Sequence, residues 1–418
     1  MMKIQNALGL GLATATFLIV SRVPGQADWP QWRGPARDAV SKETGLLKSW
    51  PEGGPALAWK ASGLGTGYSG LAIVGDRIYT MGDKDGAACL IALSATDGQV
   101  LWTTPFGKAG APGWGGFAGP RCTPTVDGDR LYAVAQYGEI ICAQTSDGKK
   151  VWTKHMVDDL GGGLPEWGFS ESALVDGDKV VFTPGGSQGT LAALNKQTGE
   201  VIWRSKDWTD PAHYSSIIAE DIAGVRQYIQ LTPASVAGVS PKDGKILWKA
   251  PRKGATAVIP TPIYAEGHVY VSSGYGIGCN LFQVGQEGGV FQVKQVYANK
   301  VMVNHHGGVI KVGDYLYGYS DGKGLTCQNF KTGEALWAEK EKMKKGAVAY
   351  ADGMLYCREE DSGTMLLVEA SPSGYSEKGR FKQPDRAKEK SWPHPVICNG
   401  RLYLRDQNLL LCYDIKAR

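Results

Sequence analysis

Along the chain, short apolar runs alternate with polar turns too closely spaced to leave room for amphipathic helices. One phrase recurs: a small or apolar run, a polar turn ending in glycine, then tryptophan four residues later. It occupies residues 92–98 before Trp102, 142–148 before Trp152, 193–199 before Trp203, 238–244 before Trp248 and 327–333 before Trp337. Asp-Gly or Thr-Gly between two apolar strands is the signal of a hairpin, because the glycine takes the positive φ that the turn needs. A second phrase, Val74-Gly75-Asp76-Arg77-Ile78-Tyr79, alternates with the first. Its copies lie at 126–132, 175–181, 265–270, 312–317, 351–356 and 398–403, with a looser one at 219–228, eight in all.

Two hairpins per unit make four antiparallel strands, and repetition of such units predicts an all-β propeller of eight blades. The tryptophans at 102, 152, 203, 248 and 337 are separated by 50, 51, 45 and 89 residues. The last gap spans two units, the skipped one being the divergent stretch 260–297. Blade eight supplies three strands, ending at Cys412-Tyr413-Asp414-Ile415, and Leu57-Ala58-Trp59-Lys60 near the other end of the chain supplies the fourth. Closure of this kind removes the bare sheet edges that an open row of blades would leave. The chain thus divides into a leader (1–27), an N-terminal extension (28–56) and a single propeller (57–418).

Composition agrees with this reading. The 418 residues include 57 Gly, 13 Trp and 18 Tyr, a balance of turns and aromatic strands. A formal charge of +4 excludes a strongly basic nucleic-acid binder and a disordered acidic chain. Residues 1–27 have the layout of an export signal: Lys3, an apolar run over 7–20, and small residues at Gly25-Gln26-Ala27. The apolar run is shorter than a membrane-spanning helix needs. The expectation is a periplasmic or secreted protein with no transmembrane segment after cleavage, retention of the leader as an anchor being the alternative.

The repeats resemble those of the pyrroloquinoline-quinone (PQQ)-type eight-bladed propellers, whose blades carry an A-x-D-x-x-x-G-x-x-x-W motif. The start Asp28-Trp29-Pro30-Gln31-Trp32-Arg33-Gly34-Pro35 and the run Asn304-His305-His306-Gly307-Gly308 are similar to exported bacterial members. That resemblance implies the fold, and it implies three functions: a ligand-binding propeller, a quinoprotein dehydrogenase holding PQQ with Ca²⁺, or a scaffold of the BamB type. The adjacent cysteine pair of many alcohol-oxidising members is missing here, as is a cysteine at the cleavage site that would anchor a scaffold to lipid.

Trp59, Trp102, Trp152, Trp203, Trp248 and Trp337, spaced with the repeat, are expected to dock each blade on the next rather than to hold a cofactor. Cys142, Cys327 and Cys412 sit where other repeats carry Ala92, Ala193 and Gly238, so they read as small packed side chains, with one or two disulfides left open.

Crossovers between blades converge on the axis at one face, and the residues ahead of each inner strand outline a funnel. They are Tyr68, Arg121, Trp167, Glu171, His213 and Tyr214 in the first half, then Asn304, His305, His306, Lys345, Trp392 and His394. Convergent aromatic and polar groups over a depression are the makeup of a ligand site, for a small molecule, a glycan or another polymer end. Glu171, His305 and His306 are the candidates for acid–base chemistry. Adjacent His305 and His306 on an extended chain would point to opposite faces, which argues against a shared metal ion. The glycine-rich stretches 107–119 and 158–169 are long enough to cover the funnel.

Overall fold

The computed structural model describes residues 28–113 and 116–417. The leader and Trp114 therefore lie outside the described residues. All secondary structure there is β, arranged as eight sheets of four antiparallel strands. Seven blades span residues 72–108, 125–155, 174–204, 218–251, 263–299, 309–339 and 346–381. The eighth takes 396–414 and, as its outer strand, Ala56–Ser62 from the start of the chain. Within each blade the inner strands are buried on both faces: Ala88 to Leu93 are all covered, whereas the outer strand Val100–Lys108 alternates with solvent. Near-continuous apolar runs and alternating runs in the sequence are these two environments.

Every blade carries a one-residue bulge in its outer hairpin, immediately before the docking position. A bulge re-aims the next side chain. Here it swings the tryptophan toward the following blade and leaves the bulged residue outward, which is why Leu101, Val151, Ile202 and Leu336 are exposed. Trp59, Trp102, Trp152 and Trp203 then each lie over the turn glycine of the next blade. A Cβ on Gly98 would stand 2.8 Å from Trp59, and one on Gly199 2.8 Å from Trp152. The indole N–H completes the dock: Trp152 donates to Lys196 O at 3.0 Å, Trp203 to Pro241 O at 2.9 Å and Trp337 to Ser371 O at 2.9 Å. Trp59 and Trp102 make the same bond to Ala95 O and Thr145 O.

Trp248 departs from the expected docking. Its indole donates to Gln227 within its own blade, at 2.6 Å, and packs inward with Phe282 and Val284 of blade five. The reason is that blade five extends its outer hairpin to two ten-residue strands, Gly278–Glu287 and Val290–Asn299, and moves the turn out of reach. Blade five in turn docks on blade six with Tyr297, whose hydroxyl donates to Phe330 O at 2.9 Å. Blade seven has Gly379 at the docking position, and Trp50 from the N-terminal segment packs over it, against Phe381 and Tyr356.

The rest of the N-terminal segment crosses the bore beneath the crossovers. Trp29 pairs with Ile73, Pro30 O accepts from Val126 N, and Arg37 donates to Ser172 O and Ala173 O. Trp32 donates to Thr261, Arg33 to Val309 O, and Val40–Ser41 run parallel to Tyr350–Ala351 as a fifth strand of blade seven. Glu43 accepts from Asn399 N and Gly400 N of blade eight. One short segment thus ties seven blades and stops the channel. Arg33, Arg37 and Ala39 hold positive φ angles of 60°, 57° and 62°, a strain tolerated because these bonds over-determine the path.

The eight cysteines are buried and form no disulfide. Among the described residues no helix is long and apolar enough to cross a membrane.

Gly199 tests the docking geometry, since its φ is +74° and its missing Cβ makes room for Trp152. Gly199→Ala is expected to cost about 1–2 kcal/mol for the left-handed backbone alone, and more once the indole is displaced. Urea denaturation of the variant beside the wild type measures it.

Candidate functional site

Antiparallel order decides which loops face the funnel. Each inner strand starts at the crossover face, so the turn between the second and third strands returns to that same face. Two sets of loops therefore surround the axis there: the crossovers and these inner turns. Together they enclose a cavity of about 340 Å³ whose floor is Trp32 of the plug.

The crossovers supply Tyr68, Arg121, Trp167, Tyr214, His305, His306, Lys345, Trp392 and His394 to the lining. Aromatic rings form most of the wall: Tyr68 and Trp392 lie 4.4 Å apart, Phe117 is 4.8 Å from Trp392, and Tyr275 is 4.4 Å from His305. Phe117 comes from the glycine-rich stretch 107–119, where its carbonyl accepts from Arg121 Nη2 at 2.7 Å. Arg121 lies 5.6 Å over the Tyr68 ring. The second long stretch is held too, Trp167 N donating to the Tyr214 hydroxyl at 3.2 Å.

Three expected residues lie behind the wall instead of in it. Glu171 is buried, and Thr183 N donates to its Oε1. Asn304 is fully buried and braces its own loop, donating to Gly308 O at 3.1 Å and Tyr319 O at 2.9 Å. His213 Nδ1 accepts from Val258 N at 3.2 Å, which supports the Ala257–Ile259 stretch of the wall. In each case the chain turns before the side chain reaches the axis. The opposite correction applies to His305 and His306. The backbone bends at His306-Gly307 instead of staying extended, so both rings line the cavity, 5.6 Å apart.

The inner turns bring residues that the crossovers alone did not reveal, above all Glu360 and Tyr275. Glu360 is the hub. Its Oε2 accepts from His306 Nε2 at 2.6 Å and Trp392 Nε1 at 3.0 Å, and its Oε1 faces Lys345 Nζ at 3.0 Å and Lys390 Nζ at 3.7 Å. Burial alone would raise this carboxyl; the His306 hydrogen bond and the Lys345 ammonium outweigh it and bring it down to about 2. Burial pulls the His306 imidazole down, against the opposing pull of Glu360. His394, tilted against Trp32 at 4.7 Å and bonded to His306 O, is pushed down to about 3 by burial and the Arg33 charge. Desolvation lowers His213 to about 4.

The arrangement can orient a ring against aromatic walls and offer it cationic donors. A quinone–calcium pair does not fit it. Among the described residues no three His, Cys, Asp or Glu side chains come together as metal ligands. The one carboxylate lining the cavity is already surrounded by its own donors, and Glu171 lies outside it.

A family profile described as "Outer membrane protein assembly factor BamB" matches residues 86–339. BamB of Xanthomonas campestris pv. campestris is 24% identical over 223 residues, 53% of this chain and 48% of that protein. The quinoprotein ethanol dehydrogenase of Pseudomonas aeruginosa is 26% identical over 153 residues, 33% of this chain and 22% of that protein. The chain therefore spans less than half the length of either relative. Among solved structures, BamB from Moraxella catarrhalis superposes with a TM-score of 0.60 at 14% identity, over 84% of this chain and 95% of that one. Quinohemoprotein alcohol dehydrogenase from Comamonas testosteroni gives 0.64 at 11% identity, over 93% and 80%. At such identities the shared property is the fold.

Glu171 behind the wall carries a pH signature. Burial raises it from 4.5 to about 7, with the Thr183 bond and the Arg37 charge opposing. Between those pH values the folded chain keeps a proton that the unfolded chain has released, so stability falls as pH rises, by about 3 kcal/mol in all. Glu171→Gln is expected to remove that slope, gaining on the wild type between pH 5 and pH 8. Urea midpoints of both proteins across the range measure the difference.

Proposed function

This chain belongs to the BamB family of PQQ-type propellers, and from that premise we propose that it is a cell-envelope propeller whose axial funnel binds a small organic ring, free or at the end of a polymer. The observation that carries the reading is the cavity itself, floored by Trp32, walled by Tyr68, Phe117 and Trp392, and edged by Arg121, Lys345 and Lys390. A volume of about 340 Å³ falls in the range of small-molecule sites, which are mostly apolar with a few placed polar groups. The funnel polar groups are also positioned in advance by the Glu360 hub, which lowers the ordering cost of binding.

Protein assembly, the role named for the BamB relatives, is the second reading. The exposed apolar residues left by the bulges, Leu101, Val151, Ile202 and Leu336, favour it, since they recur around the outer rim. Dehydrogenase chemistry like that named for the second relative would need a ligand set for its ion that the funnel does not offer.

Titration of the protein with PQQ, divalent cations and oligosaccharides, followed by tryptophan fluorescence, separates the readings. Funnel binding predicts a saturable change and a loss of at least about tenfold in affinity, or about 1.4 kcal/mol, on Trp392→Ala. His306→Ala should weaken binding as well, because it releases one donor from Glu360. A scaffold predicts silence in every titration and normal partner capture by both variants. Dye-linked alcohol oxidation on adding PQQ and Ca²⁺ would overturn the binding reading in favour of an enzyme.

A further inference from the structure

The cavity has an unbalanced hydrogen-bonding inventory. Its one lining carboxylate, Glu360, has three close donors on its two oxygens and a fourth cation, Lys390, at 3.7 Å. Most of its acceptor capacity is therefore taken up within the protein. The cations are not saturated in the same way. Arg121 donates to two backbone carbonyls, at 2.7 and 3.3 Å, and among the described residues no carboxylate stands within ion-pair distance of it. A guanidinium has five N–H donors. Of the lining cations, Lys345 pairs with Glu360 and Lys390 with Asp361, which leaves Arg121 as the one without a carboxylate partner among the described residues. The complement is a ligand that brings acceptor oxygens and negative charge.

The walls narrow the class further. Tyr68 and Trp392 are inclined at 36°, Phe117 and Trp392 at 50°, and Trp167 and Tyr214 at 62°. No two of these rings are parallel, so they do not sandwich a flat heteroaromatic; a puckered ring with C–H edges suits inclined walls. Beyond the cavity, charge divides the same face. The crossover 340–345 carries four lysines and one glutamate, and 382–390 carries Lys382, Arg386, Lys388 and Lys390 against Asp385 and Glu389. Across the axis, 156–169 carries Asp158, Asp159 and Glu166 with no Lys or Arg. A polyanion leaving the cavity has one favourable way out, over the lysines.

We propose that the funnel takes the end of an acidic glycan: the terminal sugar acid lies against Trp392 with its anionic group at Arg121, and the following residues run over the crossovers of Lys344 and Lys388. This rests on the funnel-binding reading and names its ligand class. Carboxylate and sulfate share the required chemistry, and the test distinguishes them.

The experiment titrates the full chain with oligogalacturonides, sulfated oligosaccharides and neutral cello-oligosaccharides of matched length, at low and high salt. Acidic oligomers are expected to bind at least tenfold more tightly than neutral ones, with the preference shrinking as salt rises. The better of the two acidic series identifies the anionic group. Lys344→Glu with Lys388→Glu, both exposed positions, should weaken a tetramer at least fivefold and leave a single sugar acid unchanged. Equal binding of neutral and acidic series overturns the acidic assignment while funnel binding stands. Polyanion binding that survives Trp392→Ala and is lost in the double lysine variant is surface adsorption, and also overturns it. Silence toward every ring probe removes both readings.

Discussion

The pairing of Ala56–Ser62 with Leu409–Asp414 is the constraint on which the other features depend. It joins the chain's two ends in one blade, so the eighth sheet has an outer strand and the ring has no free edge. Only a closed ring fixes the rotation of each blade about the axis, and that rotation brings loops from all eight blades to one cavity. The closure is stitched again on the funnel side by arginines. Arg358 of blade seven donates to Arg405 O of blade eight at 2.5 Å, and Arg405 donates to Ser69 O and Thr80 of blade one. Buried guanidinium groups are costly unless bonded, and here backbone carbonyls serve where acids are scarce. Burial still lowers Arg358 to about 10 and Arg405 to about 9.

The plug adds a second dependence. Trp32 is at once a strut, bonded to Thr261 of blade five, and the floor of the cavity. His394 connects that floor to the Glu360 hub, packing at a tilt against Trp32 and bonding His306 O. The segment before the propeller is thus part of the site as well as of the scaffold. Kinship with both assembly factors and quinoproteins is compatible with this, because the ring sets where loops meet and the loop residues set the chemistry.

Much of the ring was legible because turn glycines and docking tryptophans repeat, and repetition survives in a one-dimensional string. The exceptions have local causes. Trp248 looked like its siblings, yet its receptor turn in the next blade had been displaced by longer strands. Tyr297 and Trp50 perform the docking role without the motif, since what the interface needs is an aromatic over a glycine or a gap. Glu360 is not legible from the crossovers for a topological reason: it lies on a turn between second and third strands, which antiparallel order returns to the same face. The acidic run Glu359-Glu360-Asp361 was the available signal.

The sequence by itself determined the strand pattern, the number of blades and the strand that closes them, because burial on two faces, hairpin turns and periodic docking are all local requirements. Tertiary structure decided which of the candidate residues meet. Asn304, Glu171 and His213 turn away from the axis while their neighbours His305, Ser170 and Tyr214 line it, a difference of one position on a bending loop. It also decided that the first described residues stop the bore. Contacts separated by hundreds of residues, such as Arg33 with Val309 and Glu43 with Gly400, are set by closure of the ring, and no local pattern encodes a distance of that kind.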